Sequence, residues 1–457
     1  MRNNFYNLLK KNTQEFSKNP YFAPKLKGMK NAPYITDDTI VFGLLLFLLA
    51  FVFYTSSIKD GFWKKFYVIF PSLLMCYLLP SVFSSLNIIS PEWTEMGENG
   101  EMVTKKSSIY FVASRYLLPA ALVLMTLSID LKAMFKLGPK ALIMFFTGTI
   151  GVILGGPIAI LIVSIFSPET VGGACFDAVW RGLSTIAGSW IGGGANQTAL
   201  KEIFKPSDYL FSQTVAVDIV VAEIILAVLL YAVGHTKKID AFLKADTSSL
   251  EDIQQRVSQL QTANKRIATF YDIVTMLGVA FVATGIAHFF AGYITPFVQK
   301  NYPELAAFSL TSSFFWVISI VTLLGILASF TSLRNLENAG ASQYGSFFLY
   351  LLITTIGMQM DLTAIINNPV LFIIGILWMT FHVIVVVLAS IWLKAPFFFG
   401  AVGSQANIGG AASAPVIAAA FHPSLVSVGV LLAVLGYAIG TYGGYICALL
   451  MQWVATG

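Results

Sequence analysis

Long apolar runs separated by short polar connectors repeat along almost the whole chain. A bilayer core about 30 Å thick needs about 20 apolar residues in a helix rising about 1.5 Å per residue. On that length the pattern predicts ten spanning helices, over 39–57, 66–86, 109–128, 139–166, 209–233, 270–297, 309–332, 342–360, 368–394 and 424–453. Two other apolar segments do not fit one straight helix. Residues 175–201 carry Gly182, Gly188 and the run Gly192-Gly193-Gly194, and residues 397–422 carry Gly400, Gly403, Gly409, Gly410 and Pro415. Folded back on itself, each leg of about 12 residues reaches about 18 Å, roughly half the membrane. Both segments are therefore predicted to be re-entrant hairpins in an all-α polytopic membrane protein.

The two halves carry matching sequence in the same order. Asp130-Leu131-Lys132-Ala133 returns as Asp361-Leu362-Thr363-Ala364, and Ile191-Gly192-Gly193-Gly194-Ala195-Asn196 as Ile408-Gly409-Gly410-Ala411-Ala412-Ser413. The expected organisation is a tail at 1–38, a first five-helix repeat at 39–233, a linker at 234–269 and a second repeat at 270–457. With five crossings each, the repeats are inverted. Broken segments in corresponding positions of two halves point to the binding site of a secondary transporter.

Composition narrows the class. The 457 residues are 56% hydrophobic and 11% charged, against about 25% charged in soluble domains, which argues against a nucleic-acid binder. The net charge of +5 is mostly a tail property, since residues 1–38 hold seven Lys/Arg and three acids. Placing the N-terminus outside puts 14 basic residues in inner loops and eight near the outer ones, the orientation the positive-inside rule favours. Cys76, Cys175 and Cys447 are far apart and the four histidines scattered, so no metal site or cofactor is expected.

Candidate chemistry gathers at the hairpin tips and in one helix. Glycines leave backbone groups open to a cavity, and irregular backbone at membrane depth is tolerated where it lines one. Gly193, Gly194, Ser189, Asn196, Gln197 and Thr198 in the first tip, and Ser404, Gln405, Asn407, Gly409, Gly410 and Ser413 in the second, are candidate substrate ligands; close packing of small residues is the competing explanation. Asp218 and Glu223 lie inside helix 209–233, where an ionised carboxylate is costly. Five residues apart at about 100° each, they point in different directions, so they are not a paired-acid site; they are candidate coupling-ion residues, Asp218 foremost. Arg115 has three readings: neutralising an anionic substrate, pairing with an internal acid, or snorkelling to the surface. Asp130 and Asp361 read as caps of the helices that follow, Asp177–Arg181 and Arg334–Glu337 as ion pairs, and His288 and His382 as packed histidines.

Gly403-Ser404-Gln405-Ala406-Asn407-Ile408-Gly409-Gly410-Ala411-Ala412-Ser413-Ala414-Pro415, Phe421-His422-Pro423-Ser424-Leu425 and Gly436-Tyr437-Ala438-Ile439-Gly440-Thr441-Tyr442 together resemble the YjcL-like family of uncharacterised bacterial integral membrane proteins. Ser85-Leu86-Asn87-Ile88-Ile89 and Ile356-Gly357-Met358-Gln359-Met360-Asp361 resemble it too, and the match runs from about residue 40 to the end. That resemblance implies a multi-pass protein of the bacterial cytoplasmic membrane. The two glycine-rich hairpins in inverted repeats also resemble, in architecture, sodium–glutamate and sodium–citrate symporters, which implies a homodimeric elevator. The expectation is a Na⁺- or H⁺-coupled symporter of a small organic anion such as an amino acid, a carboxylate or a cell-wall-derived peptide. A cation/proton antiporter without organic substrate is the alternative. No HExxH or GxSxG motif supports an enzyme.

Overall fold

The computed structural model describes residues 32–96, 102–129, 137–173, 177–248, 250, 266–308, 310–360, 368–422 and 425–456. The tail up to residue 31, Asp130, Cys175, most of the linker and Asp361 lie outside the described residues. Helices dominate. Seven of them are long and apolar enough to cross a membrane, namely α1 (Asp38–Ser56), α4 (Ile109–Leu127), α5 (Pro139–Ser164), α8 (Asp208–Val233), α10 (Phe270–Asn301), α13 (Pro369–Leu393) and most of α16 (Val426–Thr456). Counting each of two bent pairs as one span gives up to nine among the described residues: α2 (Gly61–Ile69) with α3 (Ser72–Ser85), and α11 (Ser313–Ser329) with the 3₁₀ turn Ser332–Ala339. The segment expected at 342–360 forms α12 (Ala341–Gln359), whose first turns carry Ser342, Gln343, Tyr344 and Ser346 and are less apolar than the others.

The chain divides into two compact units. One joins the described residues up to Phe111 to Thr354–Gln359. In it, Val41 and Leu45 of α1 pack with Ile89, Ile109 and Met358, and Asp37 caps α1 by accepting from Thr39 N at 2.8 Å and Ile40 N at 3.2 Å. Those backbone donors hold the Asp37 carboxyl below the usual carboxylate range. The acidic segment before residue 109 contains an element that the helical pattern did not anticipate. Strands β1 (Glu92–Met96) and β2 (Met102–Lys106) pair antiparallel with Glu92 opposite Lys106, and Lys105–Glu95 at 2.6 Å and Lys106–Glu92 at 3.1 Å join them.

The other unit spans Val112–Ile353 and Met360–Gly457 and holds every candidate site residue. Here α4 contains a π-helical turn, Ala113–Leu117, just before Pro119. Proline has no N–H to give the carbonyl four residues back, and that carbonyl, Arg115 O, instead accepts from His288 Nε2 at 2.9 Å. At the start of α10, Thr269 and Asp272 form a capping box, and Arg266 grips Asp272 with two bonds of 2.5 and 2.6 Å.

Each glycine-rich segment is a pair of helices doubled back at a glycine. In the first, α6 (Val179–Gly192) and α7 (Gly194–Phe204) break at Gly193, whose φ of +78° is open to glycine at little cost. The legs close at their base, where the Trp180 and Phe204 rings lie 5.6 Å apart and Arg181 Nη1 donates to Phe204 O at 2.9 Å. In the second, α14 (Phe397–Ile408) and α15 (Gly410–Phe421) break at Gly409–Gly410, with φ of +54° at Gly410, and Phe398 meets Phe421 at the base, 5.3 Å away. Between α8 and the described end of the linker lies a short helix, α9 (Thr236–Leu243). Its Asp240 accepts from Phe397 N at 2.7 Å, tying it to the start of α14. Asp246 beyond it binds Lys140 of α5 at 2.9 Å.

Candidate functional site

The first hairpin is locked to α16 by glycines facing glycines. A Cβ at Gly444 would stand 2.9 Å from Gly188 N, one at Gly436 2.7 Å from Ile191 O, and one at Gly440 2.7 Å from Gly192 Cα. Small residues spaced by four on both helices let the backbones approach this closely. Asn196, fully buried, completes the joint: its Nδ2 donates to Gly192 O at 2.7 Å and its Oδ1 accepts from Thr441 Oγ1 at 2.6 Å.

Behind that tip, Asp218 of α8 is buried against α6 and α7. Gln197 Nε2 donates to its Oδ2 at 2.7 Å, and the Ser189 hydroxyl and Trp190 indole face the same carboxylate. The Trp190 ring packs edge-on to Trp378 of α13, centroids 5.0 Å apart. Asp218 forms no ion pair among the described residues; its neighbours are neutral donors.

The second tip is anchored to α5 and α13. Asn407 donates to Phe145 O at 2.9 Å and accepts from Thr149 Oγ1 at 2.8 Å. His382 makes two bonds, to Gly148 O at 3.0 Å through Nδ1 and to Ser404 Oγ at 2.8 Å through Nε2. Because a carbonyl only accepts, Nδ1 carries the proton, and in the neutral ring Nε2 accepts a hydrogen bond from the Ser404 hydroxyl. Gln405 donates to Ser413 Oγ across the turn at 2.7 Å, while its Oε1, on a residue only 1% exposed, has no hydrogen-bond partner among the described residues.

Both tips meet the same turn of α16. The Cβ position of Gly436 lies 2.7 Å from Ile191 O of the first hairpin and 3.6 Å from Ala406 O of the second. Next to it, the Tyr437 ring stands 3.8 Å from the Cβ position of Gly193, and its hydroxyl meets the Ala411 backbone. Leu349 and Ile353 of α12 flank Gly194.

The sequence-predicted residues separate accordingly. Ser189, Gln197 and Asp218 form one cluster, and Gly193, Gly194, Gly409, Gly410, Gln405 and Ser413 surround the meeting of the tips. Asn196, Asn407 and Ser404 are engaged by neighbouring helices, and Thr198 Oγ1 bonds back to Gly194 O at 2.8 Å. Glu223 lies on an exposed part of α8, apart from Asp218. Arg115 pairs with Glu202 of α7 at 3.0 Å and stacks over Phe314 at 4.6 Å, which corresponds to pairing with an internal acid. Sequence reasoning did not single out that acid. Nor did it single out Lys201, buried against Asp208 at 2.9 Å and over the Phe211 ring at 4.7 Å, or Tyr437, Thr441 and Thr149. A tyrosine and a threonine within the glycine ladder of α16 are the signal that was there to find.

Fold and site together define a multi-pass helical membrane protein with two helical hairpins meeting tip to tip on a glycine-rich helix. The family described as protein of unknown function (DUF819) matches residues 43–454, and the chain belongs to that family. It is similar to the uncharacterized membrane protein YjcL of Bacillus subtilis (strain 168), 26% identical over 356 residues that cover 74% of this chain and 83% of the relative.

Proposed function

We propose that the protein is a secondary active transporter, a cation-coupled symporter of a small organic anion, in the cytoplasmic membrane of a bacterium. The observation that carries this is the meeting of two broken hairpins on one turn of α16, with Asp218 buried behind one tip and Gln405 Oε1 unpartnered among the described residues at the other. The second legs, α7 and α15, begin at Gly194 and Gly410, so two helix N-termini point at the tips. Their unpaired N–H groups and dipoles suit a carboxylate. Gly193, Gly194, Gly409, Gly410, Ser413 and Tyr437 then line the substrate position, and Gln405 Oε1 takes a donor from it. Asp218, with Ser189 and Gln197, holds the coupling Na⁺ or H⁺. The hairpins enter the membrane from opposite sides as parts of two inverted repeats, and a homodimer scaffolds their movement.

Purified protein in proteoliposomes tests this with a panel of amino acids and di- and tricarboxylates, under a Na⁺ or a pH gradient. Gradient-driven uptake of at least one solute is expected, and Asp218→Asn abolishes its ion dependence. Uptake that survives this substitution with unchanged ion dependence refutes the coupling role. A second reading, cation/proton exchange, is favoured by the neutral donors around Asp218, whose carboxylate has no cationic partner among the described residues. Na⁺ movement against a pH gradient with no organic solute present distinguishes it.

A further inference from the structure

Along the first leg and base of the second hairpin, two adjoining cavities border α9, one of them reaching as far as Ser404. One is an apolar crevice of about 260 Å³, lined by Val228 and Leu229 of α8, Phe242 and Leu243 of α9, Val386 of α13 and Gly400 of α14. The other, about 530 Å³, is bordered by His235, Lys237 and Lys238 and by Phe421 of α15. The Phe397 and Phe421 rings, 5.5 Å apart, contribute one residue to each cavity, so the two adjoin. At the mouth of the crevice Val228 and Phe242 are 54% and 71% exposed, and Leu388 and Ile391 continue the exposed apolar face along α13.

In a chain that spans a bilayer, that exposed face meets lipid tails. Lys237 and Lys238 are exposed and form no ion pair among the described residues. Asp240, the acid on the same short helix, is turned to Phe397 N at 2.7 Å. An apolar slot beside a basic groove matches one molecule with an alkyl chain and an anionic head.

We propose that these cavities are a binding site for an anionic phospholipid, with one acyl chain in the crevice and the phosphate over Lys237 and Lys238. The chain occupies the space between α9 and the first leg of the second hairpin, so the lipid braces the base of that hairpin. The site is independent of the transport reading and stands or falls without it.

Full-length protein in mild detergent, incubated with mixed phosphatidylglycerol and phosphatidylcholine, is examined by native mass spectrometry for retained lipid. Wild type is expected to retain phosphatidylglycerol over phosphatidylcholine, and inorganic phosphate is expected not to displace it. Each lysine near an anionic head is worth about fivefold in affinity, so the Lys237→Gln/Lys238→Gln variant loses most of the preference. Val228→Trp, at an exposed position, fills the crevice and retains less of both lipids with an unchanged melting temperature. Equal retention of the two lipids by wild type, displacement by phosphate, or wild-type retention by either variant overturns the proposal.

Discussion

The joint between α6 and α16 gives a quantitative prediction from a single methyl group. In Gly440→Ala the new Cβ would stand 2.6 Å from Asn196 Nδ2, 2.7 Å from Asn196 Cγ and 2.7 Å from Gly192 Cα. Ordinary contact begins at 3.4 Å, so the two nearest carbons are about 0.7 Å too close. One of them is backbone and cannot rotate away, so the helices must separate. Overpacking of this kind costs about 1–3 kcal/mol. Separation also stretches the 2.6 Å bond from Thr441 to Asn196, and a buried hydrogen bond is worth about 1 kcal/mol. Alanine returns up to about 1 kcal/mol through helix propensity, leaving a net loss of about 1–3 kcal/mol. Gly278→Ala is the internal control, since nothing among the described residues lies within 4 Å of its Cβ position in α10; it is expected to be neutral or slightly stabilising. Thermal unfolding in detergent followed by tryptophan fluorescence reads both. Equal melting temperatures for the two variants would refute the close approach and the joint built on it.

Three further outcomes follow from the same geometry. Asn407→Ala removes the 2.9 Å bond to the Phe145 carbonyl and the 2.8 Å bond from Thr149 Oγ1, leaving those two only their mutual 3.2 Å contact, and is expected to destabilise by about 1–3 kcal/mol, seen as a lower melting temperature. Arg115→Met removes the guanidinium 3.0 Å from the buried Glu202 carboxylate and is expected to cost about 1–3 kcal/mol; the double variant with Glu202→Gln is expected to recover part of it, and a double-mutant cycle without coupling contradicts the pair. Asp246, held by the Ser248 hydroxyl and then by Lys140, has its carboxyl lowered to about 2. Being depressed, its contribution is present above the ordinary carboxylate pKa and lost as pH falls toward 2. A ¹³C NMR titration of labelled Asp checks this, and a midpoint near 4 means that the contact with Lys140 is absent in solution.

Apolar run length was enough to place most of the helices, because a bilayer core demands about 20 consecutive apolar residues and few other contexts do. The breaks at Gly193 and Gly409–Gly410 were equally legible, since positive φ at glycine interrupts a helix wherever it is packed. The β1–β2 hairpin was not, because two strands of five residues alternate too briefly to stand out in an acidic stretch. Nor could chain order tell which tip residues are engaged by neighbouring helices. Asn196, Asn407, Gln197 and Gln405 are all amides beside glycines, yet two of them fasten the hairpins to α16 and α5, one donates to Asp218, and one keeps a carbonyl oxygen unpartnered among the described residues.

What the sequence by itself determined is a membrane chain, its helices, its two breaks and an acid in mid-helix. These follow from local physics, namely the cost of polar groups in lipid and the backbone freedom of glycine. Only the tertiary structure decided the partners: Glu202 for Arg115, Gln197 for Asp218, and Tyr437 between the tips. Each of those contacts joins separate helices, and packing of this kind depends on the approach of whole backbones, which no local pattern encodes.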